Sequence, residues 1–238
     1  MSRPFYQDAF AAIYLGDCRD VLGRIAIEPD HVFSDPPYSD DTHAGGRTQK
    51  AIGQIEAQID FASTTSDLIR SVVEQARPRR WTVMTVDWQH VLPPLKLRPP
   101  SGHRFVRHGV WIKLNGSPQF TGDRPAQGWE AIAILHRDLG EGEGKMRWNA
   151  GGSRAVWTHL VEKKGHPTEK PEPLLIDLVG AFTDVGETIL DPFMGSGTTG
   201  VAAKRLGRKF VGIEIEERWC EHAANRLRQG SMAAMFEE

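Results

Sequence analysis

The stretch from Thr188 to Ile215 constrains the fold more than any other. An apolar run, Thr188-Ile189-Leu190, meets Asp191-Pro192-Phe193-Met194-Gly195-Ser196-Gly197-Thr198-Thr199, and a helical run to Leu206 leads into a β-rich run from Lys209 to Ile215. Strand, glycine turn, helix and strand in so short a span argue for neighbouring parallel strands in an α/β sheet. The glycines permit a tight turn and let a ligand approach the backbone. The helix start beyond them offers free N–H groups and a positive dipole end, which favours a carboxylate or phosphate by roughly 0.3–1 kcal/mol. No Gly-Lys-Ser/Thr follows, so the turn is not a P-loop. Glu214, closing Val211-Gly212-Ile213-Glu214, stands where an acid can accept from ribose hydroxyls, or else is a surface charge at a strand end.

The same alternation runs along the rest of the chain. Ala12 to Gly16 reads as a strand ending at Asp17, Cys18 to Ile25 as a short helix and Val32 to Ser34 as the next strand. A capped helix runs from Ser63 or Thr64 to about Ala76, followed by a buried strand from Trp81 to Val86. After a Pro-rich connection, Phe105 to Leu114 and Trp129 to His136 read as strands, Pro171 to Phe182 and Glu217 to Arg228 as helices. Residues 39–62 lack periodicity and read as a mobile loop, and Gly140 to Ser153 as a second loop. At 238 residues the chain suits one α/β domain with insertions. No apolar run approaches a membrane span, and Met1-Ser2-Arg3-Pro4 opens no secretory signal. With only Cys18 and Cys220, the expectation is a cytoplasmic protein with reduced thiols, no disulfide and no cysteine-based zinc site.

Asp35-Pro36-Pro37-Tyr38 follows the strand Val32 to Ser34, at the strand end where open α/β sheets bind ligands. The prolines have no N–H and cannot continue a ladder, so the carbonyls of Asp35 and Pro36 can accept from something else. A carboxylate, two stiff carbonyls and an aromatic ring side by side can grip an exocyclic amino group. The tetrapeptide could also merely end a strand.

Taken with Asp191-Pro192-Phe193-Met194-Gly195-Ser196-Gly197, the tetrapeptide resembles the amino-methylating DNA methyltransferases. The order, catalytic motif first and glycine turn last, is similar to their circularly permuted β class. Leu15-Gly16-Asp17-Cys18, His166-Pro167-Thr168-Glu169-Lys170-Pro171 and Gly128-Trp129-Glu130-Ala131-Ile132 resemble further segments of that class, and the likeness spans Tyr14 to Leu227. It implies a single Rossmann-like, S-adenosylmethionine-dependent methyltransferase domain over residues 1–238, α/β, with a mainly parallel sheet, helices on both faces and a reversed late strand. Asp35, Pro36, Pro37 and Tyr38 would be catalytic. The cofactor S-adenosylmethionine would lie against Asp191, Phe193, Gly195, Ser196, Gly197 and Thr198, with Glu214 on its ribose and Asp17 and Cys18 near its adenine. Asp17 could instead cap the helix that follows it. Thr168 and Lys170 would stand near the cofactor's carboxylate, although Lys170 could equally be a solvated helix-start lysine. The chemistry asks for no metal.

Asp at the first position of the tetrapeptide resembles adenine-N6 enzymes, whereas cytosine-N4 enzymes more often carry Ser there. The implied substrate is thus a flipped-out adenine in double-stranded DNA, with cytosine N4, or an inactive DNA-holding subunit, as alternatives. The net charge of −2 makes no global case for nucleic acid, but Arg77 to His108 is strongly basic and is either a solvated face or a phosphate-binding surface. A small target-recognition insert falls within 88–165. Arg98 and Arg104, with Trp88, His90, Lys96 and His103, form one candidate DNA surface; Lys145 and Arg147, with Arg137, Trp148 and Arg154, form another. The resemblance also admits a homodimer and a restriction endonuclease of the same system as partners, and no membrane.

Overall fold

The computed structural model describes residues 3–36, 66–162 and 169–234. Among these, nine strands form one sheet: β1 (Tyr6–Gln7), β2 (Ala11–Leu15), β3 (His31–Ser34), β4 (Trp81–Val86), β5 (His103–Lys113), β6 (Trp129–Arg137), β7 (Val156–His159), β8 (Thr188–Asp191) and β9 (Lys209–Glu214). The helices are α1 (Cys18–Leu22), α2 (Ser66–Ala76), α3 (Leu92–Leu97), α4 (Glu172–Phe182), α5 (Thr198–Arg205) and α6 (Glu217–Ala234). The strand order is β1-β2-β9-β8-β3-β4-β6-β5-β7. Strands β2, β9, β8, β3 and β4 are mutually parallel, whereas β6 runs against both β4 and β5. The expected parallel sheet with one reversed late strand is therefore present.

Side chains alternate along each strand, and both faces of the sheet are apolar because helices cover both. Phe33, Val83, Ile134, Ile189 and Phe210 point to α4, α5 and α6, where Leu174, Leu178, Phe182, Ala202 and Leu227 meet them. Their neighbours Val32, Met84, Leu190 and Ile213 point the other way, to α1 and α2, where Val21, Ile69 and Val72 pack. Each fully buried Leu, Ile or Phe contributes about 1.5–3 kcal/mol.

Three elements depart from the sequence reading. Leu92 to Leu97 is a helix inside what reads as a proline-rich connection, because Pro93 and Pro94 fall in its first turn, where N–H groups have no intrahelical partner. β1 and β7 are short strands that add to the sheet by pairing with β2 and β5. Helix α1 stops at Leu22 with Gly23 as its cap, short of Ile25. The expected loop over residues 39–62 lies outside the described residues.

Candidate active site

The carboxyl ends of β2, β9, β8, β3 and β4 open on one side of the sheet and gather the predicted residues there. Because β6 is reversed, its first residues, Trp129 and Glu130, reach the same side, as do the last residues of β5.

Asp35 follows β3 directly. The pairing of Ser34 with Met84 places Thr85 beside it, and the Thr85 hydroxyl donates to Asp35 Oδ1. Lys170, buried just ahead of α4, places its ammonium 2.5 Å from Asp35 Oδ2 and 3.4 Å from Glu130 Oε2. Glu130 is held from behind by Lys113, 2.5 Å from its other oxygen. Burial raises the Asp35 carboxyl above the ordinary range, the Lys170 ammonium pulls it back, and Glu130 pushes with burial. Burial alone would lower the Lys170 ammonium, but Asp35 and Glu130 outweigh it and hold it above its usual value. Pro36 is buried beside Asp35. Pro37, Tyr38 and Thr168 lie outside the described residues.

Asp191 ends β8 and is buried under the glycine turn. It accepts from the Ser34 hydroxyl at 2.6 Å and from the Phe193 N–H at 3.1 Å, and burial pushes its carboxyl up to about 6. Gly195 and Gly197 both take positive φ, 53° and 79°. A Cβ at Gly197 would stand 2.7 Å from that of Ala223 on α6, so this glycine serves packing. At Gly195 a Cβ would meet nothing within 4 Å, which leaves the backbone open to a ligand. Beneath the turn, Arg226 of α6 reaches the Ser196 carbonyl at 2.9 Å and Glu169 at 2.7 Å, and Thr198 donates to the same Glu169 oxygen.

Glu214 ends β9, and Asp17 lies two residues beyond the end of the adjacent strand β2. Glu214 accepts from the N–H groups of Gly195 and Glu216, each at 2.8 Å, and burial raises its carboxyl against their pull. It is therefore also a brace for the glycine turn. Asp17 caps α1 by accepting from the Arg19 N–H at 2.9 Å and pairs with the Arg19 guanidinium, so the capping alternative describes its contacts. Cys18 is buried beside it, its thiol pushed up to about 11 by burial.

Lys170 stands on Asp35 and Glu130, not in solvent. Arg98, Arg104, Lys145 and Arg147 lie away from this site: Arg104 pairs across from His136 where β5 starts, at the opposite ends of the parallel strands. Arg98 ends α3, three residues before Ser101, which bonds Glu74 near the end of α2. The Arg147 carbonyl accepts from Trp81 at the start of β4, and Lys145 lies in the same loop. Strand direction separates these four residues from Asp35. Thr85, Glu130, Lys113, Glu169 and Arg226 were missed by sequence reasoning. Glu130 and Glu169 lie in segments that carry the resemblance without a role of their own, and the signal for Thr85 is a polar residue inside the apolar strand Trp81–Val86.

A sequence model of the N6/N4 DNA methylases, described as DNA methylase, matches residues 29–225. The chain is 29% identical to the Type II methyltransferase M2.LlaDCHI of Lactococcus lactis subsp. cremoris, over 97% of this chain and 94% of that one. Among solved structures it resembles the M1.HpyAVI–SAM complex, with a TM-score of 0.67 and 24% identity over 91% of this chain and 100% of that one. It also resembles the cytosine-N4-specific PvuII DNA methyltransferase, with a TM-score of 0.71 and 18% identity over 94% and 89%. At such identities the likeness to solved structures concerns the fold. The family match covers most of the chain, from the strand before Asp35 to the helix beyond Glu214, and on that ground the chain belongs to the N6/N4 DNA methylase family.

Proposed function

We propose that this DNA methylase transfers the methyl group of S-adenosylmethionine to the N6 amino group of an adenine extruded from duplex DNA. The observation that carries the reading is a carboxylate, Asp35, held by Thr85 and Lys170 at the carboxyl end of β3, next to β8 with its open glycine turn and one strand further from Glu214 at the end of β9. The residues present fit the cofactor. Gly195 leaves space for its approach, the first N–H groups of α5 suit its carboxylate, and Glu214 and Asp17 at neighbouring strand ends suit hydroxyl and amino donors.

An adenine amino nitrogen is a poor nucleophile because its lone pair is delocalised into the ring. Asp35 and the Pro36 carbonyl accept its two hydrogens and favour a localised, tetrahedral nitrogen. Bound S-adenosylmethionine supplies a sulfonium-activated methyl group, so a C–S bond breaks as the N–C bond forms and one proton is left to depart. Asp35 accepts that proton or passes it to water, and much of the acceleration comes from holding the two reactants in contact. Extruding the base costs a few kcal/mol, and Tyr38, close to Asp35 in sequence, offsets it by stacking worth roughly 1–3 kcal/mol.

Residues 114–128, between β5 and β6, supply the DNA-reading part of the proposed insert. This connection leaves the sheet on the Asp35 side, and Phe120 at its tip is 85% exposed. Trp88, beyond β4, stands 5.8 Å from the Trp129 ring and donates to Gln127. A restriction endonuclease partner is proposed from the Type II relative. Cytosine N4 is the second reading, because the matching family model covers N6 and N4 methylases alike. The test is transfer of tritium from methyl-labelled cofactor to unmodified duplex: Asp35→Ala loses it while still binding cofactor, and labelled protein without labelled DNA contradicts the proposal.

A further inference from the structure

Lys170 sits where a charge balance has to be kept. Among the described residues, the titratable groups facing Asp35 are Lys170 ahead of α4, Glu130 on β6 and, across Ser34, Asp191 on β8, with Lys113 of β5 behind Glu130. Among the described residues, two acids thus oppose the charge of Asp35 and the Lys170 cation answers it. A carboxylate that is buried and crowded by other acids takes up a proton unless a cation answers it. A protonated Asp35 would aim an O–H at an amino group that itself donates, which is the wrong polarity for the contact. The ammonium also fixes direction: with Thr85 on Oδ1 and Lys170 on Oδ2, the carboxylate plane is set from both sides.

We propose that Lys170 is a positioning residue for methyl transfer: its ammonium, itself held by Glu130, which Lys113 holds in turn, keeps Asp35 ionised and aimed at the target amino group. This rests on the adenine reading only in that Asp35 is the group meeting the amino nitrogen. Lys170 touches neither reacting atom in this role and acts through Asp35. Lys170 stands 2.5 Å from Asp35 and 3.4 Å from Glu130, so removing the Glu130 charge acts on Asp35 mainly by lifting a repulsion.

The test is single-turnover transfer of tritiated methyl from S-adenosylmethionine to unmodified duplex DNA, followed against pH. In Lys170→Met the rate at neutral pH falls about 100-fold and recovers as pH rises, because the acidic limb moves up to about two units above neutrality. Lys170→Arg keeps the cation, stays within about tenfold of the parent and keeps the parent's limb. Glu130→Gln removes a repelling acid and moves the limb the other way, toward lower pH. This second shift is read on its own where Lys170→Met folds poorly, as judged by its melting temperature and cofactor binding. A uniform fall in Lys170→Met at every pH, equal loss in Met and Arg variants, or an unmoved limb in Glu130→Gln overturns the proposal. A parent enzyme that transfers no label to DNA overturns the functional reading itself, which separates the two failures.

Discussion

Asp35 and Asp191 sit on either side of Ser34, and each carries a distinct prediction. Asp35→Ala removes the acceptor for the amino hydrogens, so the methyl-transfer rate should drop roughly 10²- to 10⁴-fold while cofactor affinity, measured by calorimetry, stays near that of the parent. Asp191 touches the glycine turn, and burial raises its carboxyl to about 6 in the folded chain. Between the unfolded value near 4 and that value, the folded state keeps a proton the unfolded state has lost, so stability falls as pH rises through this window and levels off above it. The shift of about two units corresponds to about 3 kcal/mol. Urea unfolding at a series of pH values should show Asp191→Asn losing this part of the slope, and identical slopes would refute it. The tetrapeptide and the glycine turn were legible in the sequence because each is contiguous. Lys170, Glu130, Thr85 and Lys113 come from separate segments that only strand pairing brings together.

The turn between β8 and α5 depends on close packing against α6. Gly197 combines a φ of 79° with a Cβ position 2.7 Å from Ala223, so Gly197→Ala should cost about 1–3 kcal/mol and lower the melting temperature measurably. Arg226, also from α6, pairs with buried Glu169, and Arg226→Met leaves that carboxylate without its cation. A loss of roughly 3 kcal/mol is expected, at the low end for a buried pair because Arg226 keeps some solvent contact. Arg226→Met with Glu169→Gln should regain part of it in denaturant titrations. Elements with strong periodicity or flanking glycines were legible, and Trp81–Val86 runs over the same residues in sequence and structure. Helix α3 was not, because Pro93 and Pro94 mark a turn unless their place in a first helical turn is known.

Across the whole molecule, strand direction decides which residues gather around Asp35. The basic residues singled out in sequence, Arg98, Arg104, Lys145 and Arg147, are contiguous with the right segments but lie at the far ends of the strands, a separation that composition cannot reveal. Among the described residues no helix is long and apolar enough to cross a membrane. Replacing residues 117–126 by a short glycine linker should weaken binding to duplex DNA tenfold or more, about 1.4 kcal/mol, by fluorescence anisotropy, with cofactor affinity unchanged. The central claim is that Asp35 presents an adenine amino group for methylation. Its most direct measurement is mass spectrometry of nucleosides digested from DNA treated with the parent protein and with Asp35→Ala. The account predicts N6-methyldeoxyadenosine with the parent alone; N4-methyldeoxycytidine in its place, or equal N6-methyldeoxyadenosine from both proteins, would contradict it.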